Sequence, residues 1–216
     1  MNFTRQELLA VLLFGSIWGG LEAVVCAAMG GGEGPISRSV ILAFISSLVV
    51  VYARLAFPHR WFILAIGLVA VGFKFLGLPN LYACQLAGVI GQAIVLEATF
   101  AIADWRSKSA GFGWLAPLVL LSGYVNAFLF CMSQAYLFGN HWWADRGFGG
   151  NLSWVVTNGS LAAIAGVLGL GIAWLLHRNR AAAFSRFVNL RPTVYNGAVI
   201  VVSTCFWTMG AILARQ

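Results

Sequence analysis

Apolar residues run through this chain in seven long blocks, and polar residues are largely confined to the short connections between them. A helix needs about 20 mainly apolar residues to cross a hydrocarbon core. The blocks extend from about Glu7 to Met29, Ile36 to Phe57, Trp61 to Leu78, Leu81 to Asp104, Trp114 to Phe138, Leu152 to His177 and Thr193 to Ala214. Their punctuation consists of turn and breaker residues: the run GGGEGP ending at Pro35, Pro58-His59-Arg60, Pro79-Asn80, a polar link from Trp105 to Gly113, the link from Gly139 to Asn151, and a basic link reaching Arg191-Pro192. The pattern predicts an all-α fold, a polytopic transmembrane helical bundle of about seven spans. The third block is short and carries Lys74 inside it. A re-entrant pair made from the third and fourth blocks, giving six spans plus a re-entrant segment, is the alternative.

Composition fits a bilayer. Hydrophobic residues make up 61% of the 216 and charged residues 9%, with a mean hydropathy of +0.88. A soluble core of this length cannot hide so much apolar surface. With connections this short, residues 1–216 read as a single integral membrane domain. The stretch from Leu8 to Met29 is too long for the apolar region of a cleavable signal and carries Glu22, so it reads as a retained first span.

Charge sets the expected orientation. The chain carries a formal net charge of +7. One side of the predicted topology holds Arg5, Arg54, Arg60, Arg106, Lys108, Arg178, Arg180, Arg186 and Arg191, and the other Arg38, Lys74, Arg146 and Arg215. The positive-inside rule assigns the richer set to the cytoplasm. The expectation is therefore N-in and C-out in a bacterial-type cytoplasmic (inner) membrane. Basic residues placed in connections serve as topology determinants and anionic-lipid contacts. They form no basic face with interleaved aromatics, so no nucleic-acid partner is expected.

Ionisable side chains at membrane depth are costly, by roughly 2.5 to 3.5 kcal/mol on insertion scales, and so face a partner or a cavity. Glu22, Lys74 and Glu97 are such residues. Glu22 and Lys74 match in predicted depth, which allows either an ion pair that fixes helix register or the polar floor of a ligand site. Gln85, Gly88, Gln92 and Thr99 share one stripe of the fourth span. Such a stripe serves interhelical hydrogen bonding or ligand contact. Asn126 and Gln134 on the fifth span and Asn158 on the sixth are candidates for the same interior. On the first span Gly15, Gly19, Ala23 and Ala27 recur every fourth residue. That small-residue face allows close helix approach, either within the bundle or against a transmembrane scaffold subunit.

The link GNHWWADRGFGGN places Trp142, Trp143 and Arg146 between glycines on the predicted outer side. It can anchor at the interface or close as a lid on a flat ligand. Cys26, Cys84, Cys131 and Cys205 form no CxxC pair and suit small buried thiols. Cys84, just inside the outer end of the fourth span, is also a candidate ligand for a soft metal or a corrin cobalt. His59, His141 and His177 are too scattered for paired haem ligation. There is no P-loop, HExxH or GxSxG, which leaves an enzyme reading, with Glu22 or Glu97 as acid or base, poorly supported.

The segments GSIWGGLEA and KFLGLPNLYACQ, the small-residue first span and the outer site resemble the substrate-binding S components of energy-coupling-factor vitamin transporters. The resemblance implies a vitamin or metal-containing ligand bound from outside, a partner scaffold and separate ATPases. It also implies six spans, where hydropathy gives seven. A cobalamin-binding branch uses a thiol near the third-to-fourth turn, where Cys84 stands here, so the resemblance implies a cobalamin-like ligand among the candidates. The resulting expectation is a substrate-binding membrane subunit for uptake of a small molecule, energised by partners. Its ligand-binding residues would be Glu22, Lys74, Gln85, Asn126, Trp142, Trp143 and Arg146. The alternative is a structural or assembly subunit of a larger membrane complex, with no site of its own.

Overall fold

The computed structural model describes residues 3–29, 38–76, 83–106, 111–190 and 192–213. The described residues are helical almost throughout. The elements are α1 (Arg5–Met29), α2 (Arg38–Ala56), α3 (Phe62–Leu76), α4 (Ala83–Arg106) and α5 (Phe112–Met132), which runs on as a π-helical segment (Ser133–Leu137). Then come α6 (His141–Ala144), α7 (Gly147–Trp154), a second π segment (Val155–Gly159), α8 (Ser160–Leu190) and α9 (Pro192–Leu213). By length and composition six helical stretches can cross a membrane: Arg5–Met29, Arg38–Ala56, Leu86–Trp105, Phe112–Leu137, Gly147–Arg180 and Pro192–Ile212.

Helix α3 falls short of that set. Fifteen of its residues are described, and where it starts is set by α4. The Glu97 carboxylate accepts hydrogen bonds from the main-chain N–H groups of Trp61 (2.9 Å) and Ile63 (3.0 Å). A helix start carries unpaired N–H groups and positive dipole charge. Here a buried carboxylate from a neighbouring helix satisfies both, so α3 begins level with Glu97 rather than with the end of α4. Trp61 makes the turn into the helix at φ 68°. By contrast α1 is capped locally: Thr4 N–H donates to the Glu7 carboxylate (2.7 Å) and Glu7 N–H to the Thr4 hydroxyl (3.3 Å), a reciprocal capping box.

Six helices close a ring in the order α1, α2, α8, α5, α4, α3, with α9 outside it against α1 and α3. Trp207 of α9 donates its indole N–H to Ser16 of α1 (3.1 Å). Small residues set the closest approaches. A methyl added at Gly15 would meet the Val69 side chain at 2.5 Å, and Gly15 and Gly19 are both buried. That part of the small-residue face therefore packs within this chain, whereas Ala27 is exposed. On α8, a methyl at Gly169 would lie 2.6 Å from the Phe44 carbonyl oxygen and 3.0 Å from the Leu48 nitrogen. Backbone cannot yield as a side-chain tip can. Gly169→Ala is expected to cost about 1–3 kcal/mol, read as a lower unfolding midpoint in detergent. Gly149→Ala, with open space around it, serves as the control. Equal midpoints for the two would refute the tight α2–α8 seam.

Two connections differ from the sequence expectation. The link from Gly139 to Asn151 is built as α6 and the start of α7, with Gly139 and Gly147 at φ 61° and 64° making the chain reversals. The basic stretch after His177 continues α8 to Leu190. Thirty-one residues rise about 46 Å, so the helix outlasts the apolar run that begins it. At the same end of the bundle, buried Arg54 pairs with half-exposed Asp104 and lies over the Phe100 ring.

Candidate functional site

A cavity of about 300 Å³ opens inside the ring, in the half holding the C-terminal end of α1 and the N-terminal end of α2. Trp18, Glu22 and Cys26, spaced by four, present one stripe of α1 to it. Arg38 and Leu42 come from α2, Gly88 and Gln92 from α4, Asn126 and Phe130 from α5, and Trp154 and Gly166 from the α7–α8 run.

The cavity is a dead end. One helical turn below the deepest lining residue of each wall stands a buried apolar side chain. Trp18 is followed by Phe14, Ser47 by Val51, Leu96 by Phe100, Val119 by Leu115 and Gly166 by Leu170. None of the five apolar residues exceeds 6% exposure. This plug belongs to the main core and fills the other half of the bundle.

Most polar groups on the walls are tied to the protein. Ser47 donates to the Gly166 carbonyl (2.7 Å), holding α2 to α8, and Ser122 donates to Val119 one turn back (2.7 Å). Gln92 donates to Ser46, which itself donates to the Leu42 carbonyl (2.7 Å). Glu22, Cys26, Arg38 and Ser39 also have partners. Asn126 differs. Among the described residues its carboxamide makes no hydrogen bond to protein. Its Oδ1 lies over Gly91, where an added methyl would sit 3.2 Å away. Oppositely charged Glu22 and Arg38 share the lining with three aromatic residues, Trp18, Phe130 and Trp154.

Of the residues expected at a site, Glu22 and Asn126 line the cavity together. Trp142, Trp143 and Arg146 do not line it; they stack behind it. Arg146 lies 3.6 Å from the Trp142 ring centroid, and Trp142 meets Trp143 edge-on at 4.7 Å. Trp143 in turn meets Phe130 at 5.6 Å and Trp154 at 4.8 Å, both edge-on. These edge-to-face contacts are the favourable aromatic arrangement. Asn151 secures the arrangement by donating to the Trp143 carbonyl (3.1 Å). Lys74 belongs to α3 and Cys84 and Gln85 to the start of α4, but their side chains lie outside the described residues. Among the described residues no three His, Cys, Asp or Glu side chains gather as a metal site. Gln134 is buried outside this cavity, and half-buried Asn158 donates to Thr157 (3.4 Å).

Sequence reasoning passed over Trp18, Arg38, Phe130 and Trp154. The first had a usable signal, the four-residue step to Glu22. Arg38 counted only as a connection charge. Phe130 and Trp154 come together through α5–α7 packing, which no local pattern carries. Comparison with protein-family models, with curated proteins and with solved structures finds no match to this chain.

Proposed function

We propose that this integral membrane protein is a substrate-binding subunit that takes a small molecule from the outer side of a cytoplasmic-type membrane and relies on partner subunits for energy. The reading is supported above all by the dead-end shape. A pocket with apolar and aromatic walls and a few convergent polar groups is the ordinary form of a small-molecule site. One closed by packed core on the far side holds a ligand and does not conduct it. The positive-inside rule places the open half outside. Six candidate spans, and a chain without an ATPase motif, suit the energy-coupling-factor type of division of labour. At about 300 Å³ the cavity favours a ligand of modest size.

The test begins with gentle detergent purification and native mass spectrometry, with unfolding midpoints measured across a vitamin panel. A co-purified small molecule or a raised midpoint is the expected result. Finding neither, together with a stable complex of biosynthetic or redox proteins, would favour the assembly-subunit reading. Orientation is tested separately through Cys26, which lines the cavity. In a variant with Cys84, Cys131 and Cys205 replaced by alanine, a membrane-impermeant maleimide is expected to label Cys26 in intact cells. Labelling only after permeabilisation would reverse the orientation.

A further inference from the structure

We infer that the cavity reads its ligand through the Asn126 carboxamide, and that the ligand is a neutral, flat ring system bearing adjacent N–H and C=O groups, the edge of a cyclic amide or imide. The inference rests on the binding-subunit reading and narrows its substrate class.

The argument starts from hydrogen-bond capacity. A carboxamide offers one carbonyl acceptor and an NH₂ donor side by side in a plane. Buried polar groups are normally paired, and half-buried Asn126 must find its partner in the cavity. The wall hydroxyls of Ser47 and Ser122 and the NH₂ group of Gln92 are paired within the protein. Asn126 has no such partner among the described residues, yet it lines the cavity. The absence of a side chain at Gly91 leaves room for its oxygen against α4. A vacant planar donor–acceptor pair is matched by an adjacent N–H and C=O on one ligand edge, which satisfies both halves at once.

The remainder of the lining selects the body of the ligand. Trp18, Phe130 and Trp154 supply aromatic surface, which suits a flat ring. Glu22 and Arg38 carry opposite signs in the same lining. A ligand of either net charge would be drawn to one and repelled by the other, so a neutral molecule fits best. A site built to pair a polar edge rejects an analogue lacking it far more strongly than a hydrophobic pocket rejects a missing methylene.

The experiment compares matched probes on the purified full-length protein in detergent: 2-quinolone against N-methyl-2-quinolone, and uracil against 1,3-dimethyluracil. Binding is read by unfolding midpoint and by quenching of tryptophan fluorescence. The expected result is that the N–H probes bind and their methylated partners bind at least about 10-fold more weakly. Asn126→Leu should abolish the difference. Gly91→Ala, which crowds the same oxygen without removing it, should weaken N–H probe binding in a protein that still runs as a single species on gel filtration. If neither probe pair separates, or if Asn126→Leu leaves the separation intact, the inference is overturned. A co-purified small molecule held equally by wild type and Asn126→Leu would overturn it while leaving the binding-subunit reading standing. No ligand in native mass spectrometry and no probe binding would remove both.

Discussion

Replacing Glu97 by alanine is expected to lower stability by about 3 kcal/mol or more. The carboxylate accepts from two main-chain N–H groups, and hydrogen bonds to a charged group contribute about 1.5–3 kcal/mol each. Glu97 is only 7% exposed, so water cannot easily replace it, and the orphaned donors would keep their desolvation cost. Glu97→Gln retains one carbonyl oxygen and should lose roughly half as much. Unfolding midpoints in one detergent give the ranking, and hydrogen exchange at the first turn of α3 gives the location. A Glu97→Ala protein with wild-type midpoint and unchanged protection at Ile63 would show that the cap contributes nothing. Since both oxygens are engaged by backbone donors, the geometry gives no support to Glu97 as an acid or base.

Trp143→Ala should be the most damaging change in the aromatic cap, costing about 3–5 kcal/mol as a large buried side chain is removed. The ring is 8% exposed and touches Phe130 and Trp154, both of which line the cavity. Removing it frees those walls to shift, so a ligand should bind at least about 10-fold more weakly even though Trp143 does not line the site. Trp142→Ala should do much less, because that ring is 48% exposed and reaches the walls only through Trp143. The comparison separates a buttress from a lid. A lid that closes on ligand would put the larger affinity loss at Trp142, and that outcome would overturn the buttress reading.

How much of this was legible beforehand varies by residue. Glu22 stood out because a carboxylate inside an apolar run must face something other than lipid, and it does line the cavity. Asn126 was legible for the same reason. Gln92, expected on a polar stripe, makes an interhelical hydrogen bond to Ser46 and lines the cavity as well. Glu97 was conspicuous too, but its task was hidden. Nothing near position 97 in the chain says that its partners are main-chain N–H groups 34 and 36 residues earlier. Trp142 and Trp143 read from sequence as one unit, an interfacial anchor or a lid, because they are adjacent. Adjacent helical residues point in directions about 100° apart, and one ring is buried while its neighbour is exposed.

Hydropathy and block length alone determined that the chain is a bundle of membrane-length helices, because apolar runs of that length have only one stable arrangement in lipid. The same one-dimensional pattern marked which polar residues needed an explanation. Tertiary packing decided the rest. It closed six helices, α1 and α2 among them, into a ring, left α9 outside, started α3 on a carboxylate borrowed from α4, and plugged one half of the ring while leaving the other hollow. Those outcomes depend on how small and large side chains from distant segments interlock, as at Gly169 against Phe44 and Gly15 against Val69. Hydropathy is a property of each residue by itself and carries no record of which helices become neighbours.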